Sequence, residues 1–130
     1  MAKKEHISET PATQFLRKQA VSFAEHPYPY EEHGGTKVSA RALGVEQAQI
    51  VKSLVFAVGD PTAREATGEV VVALVSGINQ LDERKLAAAA GGNGSWRVEA
   101  DAVRAATGDP VGGVPPLGHA TAMRRVVSHA

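Results

Sequence analysis

Residues Glu69 to Val75 read Glu-Val-Val-Val-Ala-Leu-Val, an apolar run with no polar residue alternating through it. A strand of this kind, rich in β-branched side chains and apolar on both sides, is expected at the centre of a sheet that is covered on both faces. That single demand excludes an all-helical chain and a two-sided polar sheet. A second strand is expected over Val51-Lys52-Ser53-Leu54-Val55-Phe56-Ala57-Val58. Its side chains alternate faces, so Lys52 shares a face with Leu54, Phe56 and Val58. A lysine on that face must snorkel to solvent, meet an anionic partner, or reach into a cavity with a polar occupant.

Helical patterns are interleaved with these strands. Thr10-Pro11 supplies an N-cap and a first-turn proline for a helix expected to reach about Ala24, with Phe15, Leu16, Ala20 and Phe23 as its inward stripe. His26-Pro27-Tyr28-Pro29-Tyr30 must be extended, because each residue before a proline is pushed out of helical geometry. Alternation there puts His26, Tyr28 and Tyr30 on one side. A turn over His33–Thr36 leads into a short helix, Lys37 to Leu43, ended by Gly44. Another turn covers Glu46–Gln49, and a polar loop runs from Gly59 to Gly68. Asp82 should cap a helix that runs to Ala90 and closes at Gly91-Gly92. Ser95–Val98 is a short strand, and Asp101 should cap a helix to about Ala106, stopped by Gly108. The expectation is α+β: one domain whose mixed sheet, or partly closed barrel, is flanked by helices. Residues 1–9 are polar and expected to be mobile, leaving 10–130 as the domain.

At 130 residues the chain is long enough for a core without staples, and it contains no cysteine. That removes disulfides, thiolate metal sites and a cysteine nucleophile. No apolar run approaches the roughly 20 residues of a membrane span. The charged start lacks the apolar core of a signal peptide, so the default location is the cytoplasm. Fourteen basic residues balance fourteen acidic ones. That balance argues against a DNA binder, or any protein that grips nucleic acid mainly by neutralising phosphates.

Several motifs fail on inspection. Gly34-Gly35-Thr36-Lys37 lacks the glycine spacing and the leading strand of a P-loop. Gly108 to Gly118 carries prolines where a dinucleotide fingerprint needs a helix start. The five histidines form no i, i+4 pair, and no serine sits in a G-x-S-x-G elbow. No metal or cofactor is expected.

Two features survive. Lys52 is either a snorkelling lysine or a pocket lysine. Gly112-Gly113-Val114-Pro115-Pro116-Leu117-Gly118 is either a surface turn or a stiffened loop whose bare N–H groups can hold a carbonyl or a developing oxyanion. Tyr28 and Tyr30 likewise read as packing residues or as pocket residues.

Matching pieces of a known family occur in order along the chain. They are Thr10-Pro11-Ala12, His26-x-Tyr28, Leu43-Gly44-Val45, Val51-Lys52-Ser53-Leu54-Val55, Gly77-x-x-Gln80-Leu81-Asp82, Thr107-Gly108, and Gly112-Gly113-Val114-x-Pro116-Leu117-Gly118. From about residue 10 to 120 the chain resembles the bacterial Cys-tRNA(Pro) deacylases. These are YbaK-type aminoacyl-tRNA editing domains, related to the insertion domain of prolyl-tRNA synthetase. The resemblance implies a mixed, barrel-like sheet surrounded by helices. It also implies hydrolysis of the ester that joins a wrong amino acid to the acceptor end of proline tRNA, with the synthetase as partner. In this family the thiol of the bound cysteine attacks the ester, so no cofactor or protein nucleophile is implied. The resemblance puts Lys52 and Gly112 at the catalytic centre, Lys52 as the anchor for the terminal nucleotide. Tyr28, His26, Ser53, Gly113, Val114 and Pro116 fall on substrate-binding positions.

The chain departs from the pattern at three places. Asp109-Pro110 stands where an aromatic residue usually follows Thr-Gly, and Pro115 where serine is common. After Arg124-Arg125-Val126-Val127 the sequence stops at Ala130, where the family continues into further strands with an acidic pocket residue. The expectation is a domain short at its C-terminus. Two alternatives follow from these departures: a binding module without turnover, and a deacylase for another amino acid such as alanine.

Overall fold

The computed structural model describes residues 10–29, 31, 34–62, 68–109 and 114–128. Its elements are α1 (Pro11–Lys18), α2 (Gly35–Leu43), a 3-10 turn (Gln47–Gln49), β1 (Val51–Gly59) and β2 (Glu69–Ser76). They continue with α3 (Glu83–Ala90), β3 (Gly94–Arg97), α4 (Ala100–Thr107) and β4 (Arg124–Val127). The described strands form an open mixed sheet in the order β3-β1-β2-β4. β1 runs antiparallel to both β2 and β3, and β4 runs parallel to β2.

The apolar run takes the central place that its composition demands. Val71, Val72 and Ala73 of β2 are fully buried, so both faces are covered. One face carries Phe56, Val58, Val71 and Ala73 against Leu86 of α3, with Leu54, Leu81 and Val126 at the margin. α3 is fixed as the sequence suggests. Asp82 Oδ1 accepts from the backbone N–H groups of Arg84 and Lys85, and Gly91 closes the helix with a left-handed φ of 84°. Thr107 of α4 is also fully buried, and its hydroxyl donates to the Val103 carbonyl at 2.7 Å.

Three expectations are corrected. α1 stops at Lys18 rather than near Ala24. Its N-terminus is capped by reciprocal bonds between Thr10 and Thr13, but none of its residues is buried, so no packing extends it. Ala20 turns to a φ of 56°, and Val21 N–H bonds back to Leu16 O. The inward stripe is correspondingly weak: Phe15 and Ala20 are exposed, Leu16 and Phe23 half-buried. Second, α4 begins one residue before its expected cap, with Glu99 at the N-cap and Asp101 in the first turn. Third, Arg124–Val127, assigned no element from the sequence, is a strand. It is held by non-local partners: Arg124 donates to both oxygens of Glu69, at 2.6 and 2.7 Å, and to Ala90 O at 2.7 Å.

Two glycines make close approaches that fix the frame. A β-carbon on Gly77 would sit 2.6 Å from Gln47 O, and one on Gly118 would sit 2.8 Å from Ala12 Cα. The first seats the end of β2 against the 3-10 turn. The second docks the glycine–proline segment on the start of α1.

Candidate functional site

β3 pairs with β1 only from Phe56 to Gly59, which leaves Val51–Val55 without a described strand on that side. Ile50 O accepts from Gly77 N on the β2 side, and Gly59 O accepts from Asn93 N on the β3 side. Even-numbered residues of β1 therefore turn their main-chain groups towards β2, and odd-numbered ones turn away from it. The N–H and C=O of Val51 and Ser53 face the uncovered margin.

A cavity of about 460 Å³ lies along that margin. Every β1 residue from Val51 to Phe56 borders it, odd and even alike, which marks a strand edge rather than one sheet face. Tyr28 and the first turns of α2 (Gly35, Thr36, Val38 and Ser39) form one wall. Arg97, Val98 and Val103 form another, and Val114 of the glycine–proline segment closes it. A more open hollow of about 740 Å³ between α4 and β4 is lined by alanines (Ala102, Ala105, Ala106 and Ala122) with Glu69 and Arg124, which bond to each other.

Hydrogen bonds hold the α2 wall in place. Ser39 Oγ donates to Gly35 O at 3.2 Å, leaving its oxygen to accept from the Tyr28 hydroxyl at 2.5 Å. Thr36 Oγ1 donates to Gly77 O at 3.1 Å and accepts from Gln47 Nε2 at 2.9 Å. The start of α2, the 3-10 turn and the end of β2 are thereby tied together beneath the cavity.

Lys52 meets no anionic partner among the described residues and lies at the cavity instead. Its ammonium donates to the Asn79 main-chain carbonyl at 2.5 Å, and the residue is half-buried among the cavity-lining positions. A neutral carbonyl orients the amine without cancelling its charge, and it uses one of three donors.

The structure brings Lys52, Tyr28, Ser53 and Val114 to one cavity. His26 and Pro116 are exposed and do not border it. Gly112 and Gly113 lie outside the described residues, as do Tyr30 and His33. Sequence reasoning passed over Ser39, Thr36, Arg97 and Val103. Ser39 carried no signal beyond its place in a short helix, because its bond to Tyr28 joins residues 11 apart in the chain. Arg97 had none, because its role depends on where β3 parts from β1.

The comparisons with known proteins bear on this geometry. The family model for the aminoacyl-tRNA editing domain matches residues 32–129. A candidate Cys-tRNA(Pro)/Cys-tRNA(Cys) deacylase of Enterococcus faecalis is 33% identical over 119 residues, covering 91% of this chain and 68% of that protein. A proline–tRNA ligase of Nitratidesulfovibrio vulgaris is 38% identical over 112 residues, covering 86% of this chain but 17% of the ligase. The crystal structure of a candidate trans-editing enzyme for prolyl-tRNA synthetase superposes with a TM-score of 0.74 at 33% identity, over 91% of this chain and 69% of that one. The crystal structure of a hypothetical protein, at 24% identity and a TM-score of 0.73, shares the fold over 92% of this chain and 73% of that one. The chain belongs to the aminoacyl-tRNA editing domain family.

Proposed function

We propose that this protein is a trans-editing deacylase that hydrolyses the ester of cysteine wrongly attached to proline tRNA. The observation that carries the reading is the meeting of Lys52, Tyr28, Ser53 and Val114 in one cavity along the uncovered margin of β1. Family membership supplies the reaction class, and the Enterococcus faecalis relative supplies the choice of cysteine.

The chemistry asked of the protein is positioning. The substrate thiol attacks its own ester carbonyl; a C–S bond forms, the bond to the ribose oxygen breaks, and the thiol proton ends on that oxygen. Water then opens the resulting thiolactone to free cysteine. No protein atom becomes bonded to substrate. What the chain contributes is a fixed ester and an excluded alternative geometry. Lys52 offers two remaining N–H donors and a positive charge to ribose or carbonyl oxygens. Ser53 offers main-chain N–H and C=O groups at the strand edge, the carbonyl matched to the ammonium of the amino acid. Tyr28, held by Ser39, closes the side opposite the strand.

Purified protein should release cysteine from cysteinyl-tRNA(Pro) above the buffer rate, and Lys52→Ala should slow release about 100-fold, as misplacement of a reacting group does. No release by the wild type, even with prolyl-tRNA synthetase added, overturns the activity. Faster release of alanine than of cysteine from a panel of charged tRNAs overturns the choice of amino acid.

A further inference from the structure

The cavity carries a cation that meets no hydrogen-bond or ion-pair partner among the described residues. Arg97 is the last residue of β3, opposite Phe56 in the β1–β3 register, and it borders the cavity while remaining exposed. Its guanidinium carbon stands 6.0 Å from the centroid of the Phe56 ring. Stacking on a buried aromatic ring restrains the side chain without consuming its N–H donors. Arg17, Arg41 and Arg124 each meet a carboxylate, that of Glu25, Glu31 and Glu69 respectively. Arg97 has no hydrogen bond or ion pair among the described residues. Glu31, the acidic residue in the cavity lining, is engaged by Arg41 at 3.1 Å.

The chemistry of the substrate says what this fork can hold. In an aminoacyl ester the carboxyl group is esterified and the amine is cationic, so neither attracts a guanidinium. The anions of an acceptor end are its phosphodiesters, and a planar fork binds phosphate with paired N–H donors. Lys52 and the Phe56–Arg97 position are four strand residues apart, about 13 Å. One ligand touching both must extend along the strand edge, as a nucleotide with an ester at one end and a phosphate at the other does. We infer that Arg97 is the phosphate contact of this site, binding the phosphodiester that precedes the terminal adenosine, an inference that rests on the editing reading above. Lys52 then serves the ester end and Arg97 the polynucleotide end.

Two small esters separate these roles: 3′-cysteinyl adenosine, which has no phosphate, and its cytidylyl-(3′→5′)-adenosine counterpart, which has one. Arg97→Ala should lower kcat/KM for the dinucleotide ester about tenfold, as loss of a charge-assisted pair does. It should leave the adenosine ester unchanged, and Arg97→Lys should recover part of the loss. Equal loss on both esters, or loss on neither, overturns the inference. Binding of uncharged cytidylyl-adenosine, followed by the fluorescence of Trp96, the chain's one tryptophan, reads the same contact without turnover. The slope of log affinity against log salt should fall by about 0.7 in Arg97→Ala, the value for one phosphate on a single strand. An unchanged slope, or no binding by the wild type, also overturns it. If the wild type releases no cysteine from cysteinyl-tRNA(Pro) or from either ester, yet binds the dinucleotide through Arg97, the deacylase reading fails and the phosphate contact stands. If it hydrolyses both and Arg97→Ala does not discriminate between them, the reverse holds.

Discussion

The two halves of β1 have the same backbone geometry and opposite fates. From Phe56 to Gly59 the strand is paired on both sides, and Phe56, Ala57 and Val58 are only 3–6% exposed. From Val51 to Val55 it is paired with β2, and no described strand covers its other margin. The first half is fixed by burial, and the second borrows that rigidity to present side chains and main-chain groups to a cavity. A site on such a strand is held more firmly than one on a loop, because its neighbours cannot shift without disturbing the core.

If this division is sound, damage to the buried half should cost stability, and damage to the open half should cost function. The largest expected effect on stability is that of Leu86→Ala, which removes the α3 side chain packed on Phe56 and Val71. It should cost about 2–5 kcal/mol in urea unfolding, with the folded fraction keeping its cavity. A loss under about 1 kcal/mol would mean that the α3 face is not the anchor. A smaller effect, and on function, is expected for Ser39→Ala. Without the serine oxygen, Tyr28 loses the acceptor that holds its hydroxyl, a hydrogen bond worth about 0.5–1.5 kcal/mol. Activity should fall about threefold to tenfold while the unfolding midpoint stays nearly constant, and Ser39→Thr should restore it. Equal losses of stability and activity would make Ser39 merely structural.

The smallest effect concerns the far edge, where β4 is fastened. Two hydrogen bonds from Arg124 hold the Glu69 carboxyl below the usual glutamate range. The pair favours the charged form in the folded state, so its contribution is present above the unfolded-state pKa and is lost as pH falls through the lower folded value. Wild-type stability should therefore decline on acidification below about pH 4 more than that of Glu69→Gln. Because the pair is exposed, the difference should be slight and should shrink in salt. Matching acid profiles for the two proteins would remove the pair as a fastening for β4.

Legibility in the sequence followed the range of the interaction. The caps at Thr10 and Asp82, the stops at Gly44, Gly91 and Gly108, and the doubly covered strand at β2 were all readable, because each rests on local geometry or on the period of apolar residues. The early end of α1 was not, since its apolar spacing promised a packing surface that the fold does not supply. Strand β4 was missed because four residues with two arginines carry no periodic signal, and its place depends on Glu69 and Ala90. Of the residues picked out by the motif order, Lys52, Tyr28, Ser53 and Val114 border the cavity, whereas the exposed His26 and Pro116, from the same motifs, do not.

By itself, the sequence determined that this chain builds a mixed sheet around one apolar strand, places a lysine in the next strand, and resembles an editing domain. Those conclusions rest on backbone preferences and side-chain alternation, which act over a few residues. Only the tertiary structure decided that β3 leaves β1 at Phe56. The open margin and the place of Arg97 at the cavity wall, without a hydrogen-bond partner among the described residues, follow from that departure. Where a strand stops pairing depends on the packing of distant elements, and no local pattern encodes it.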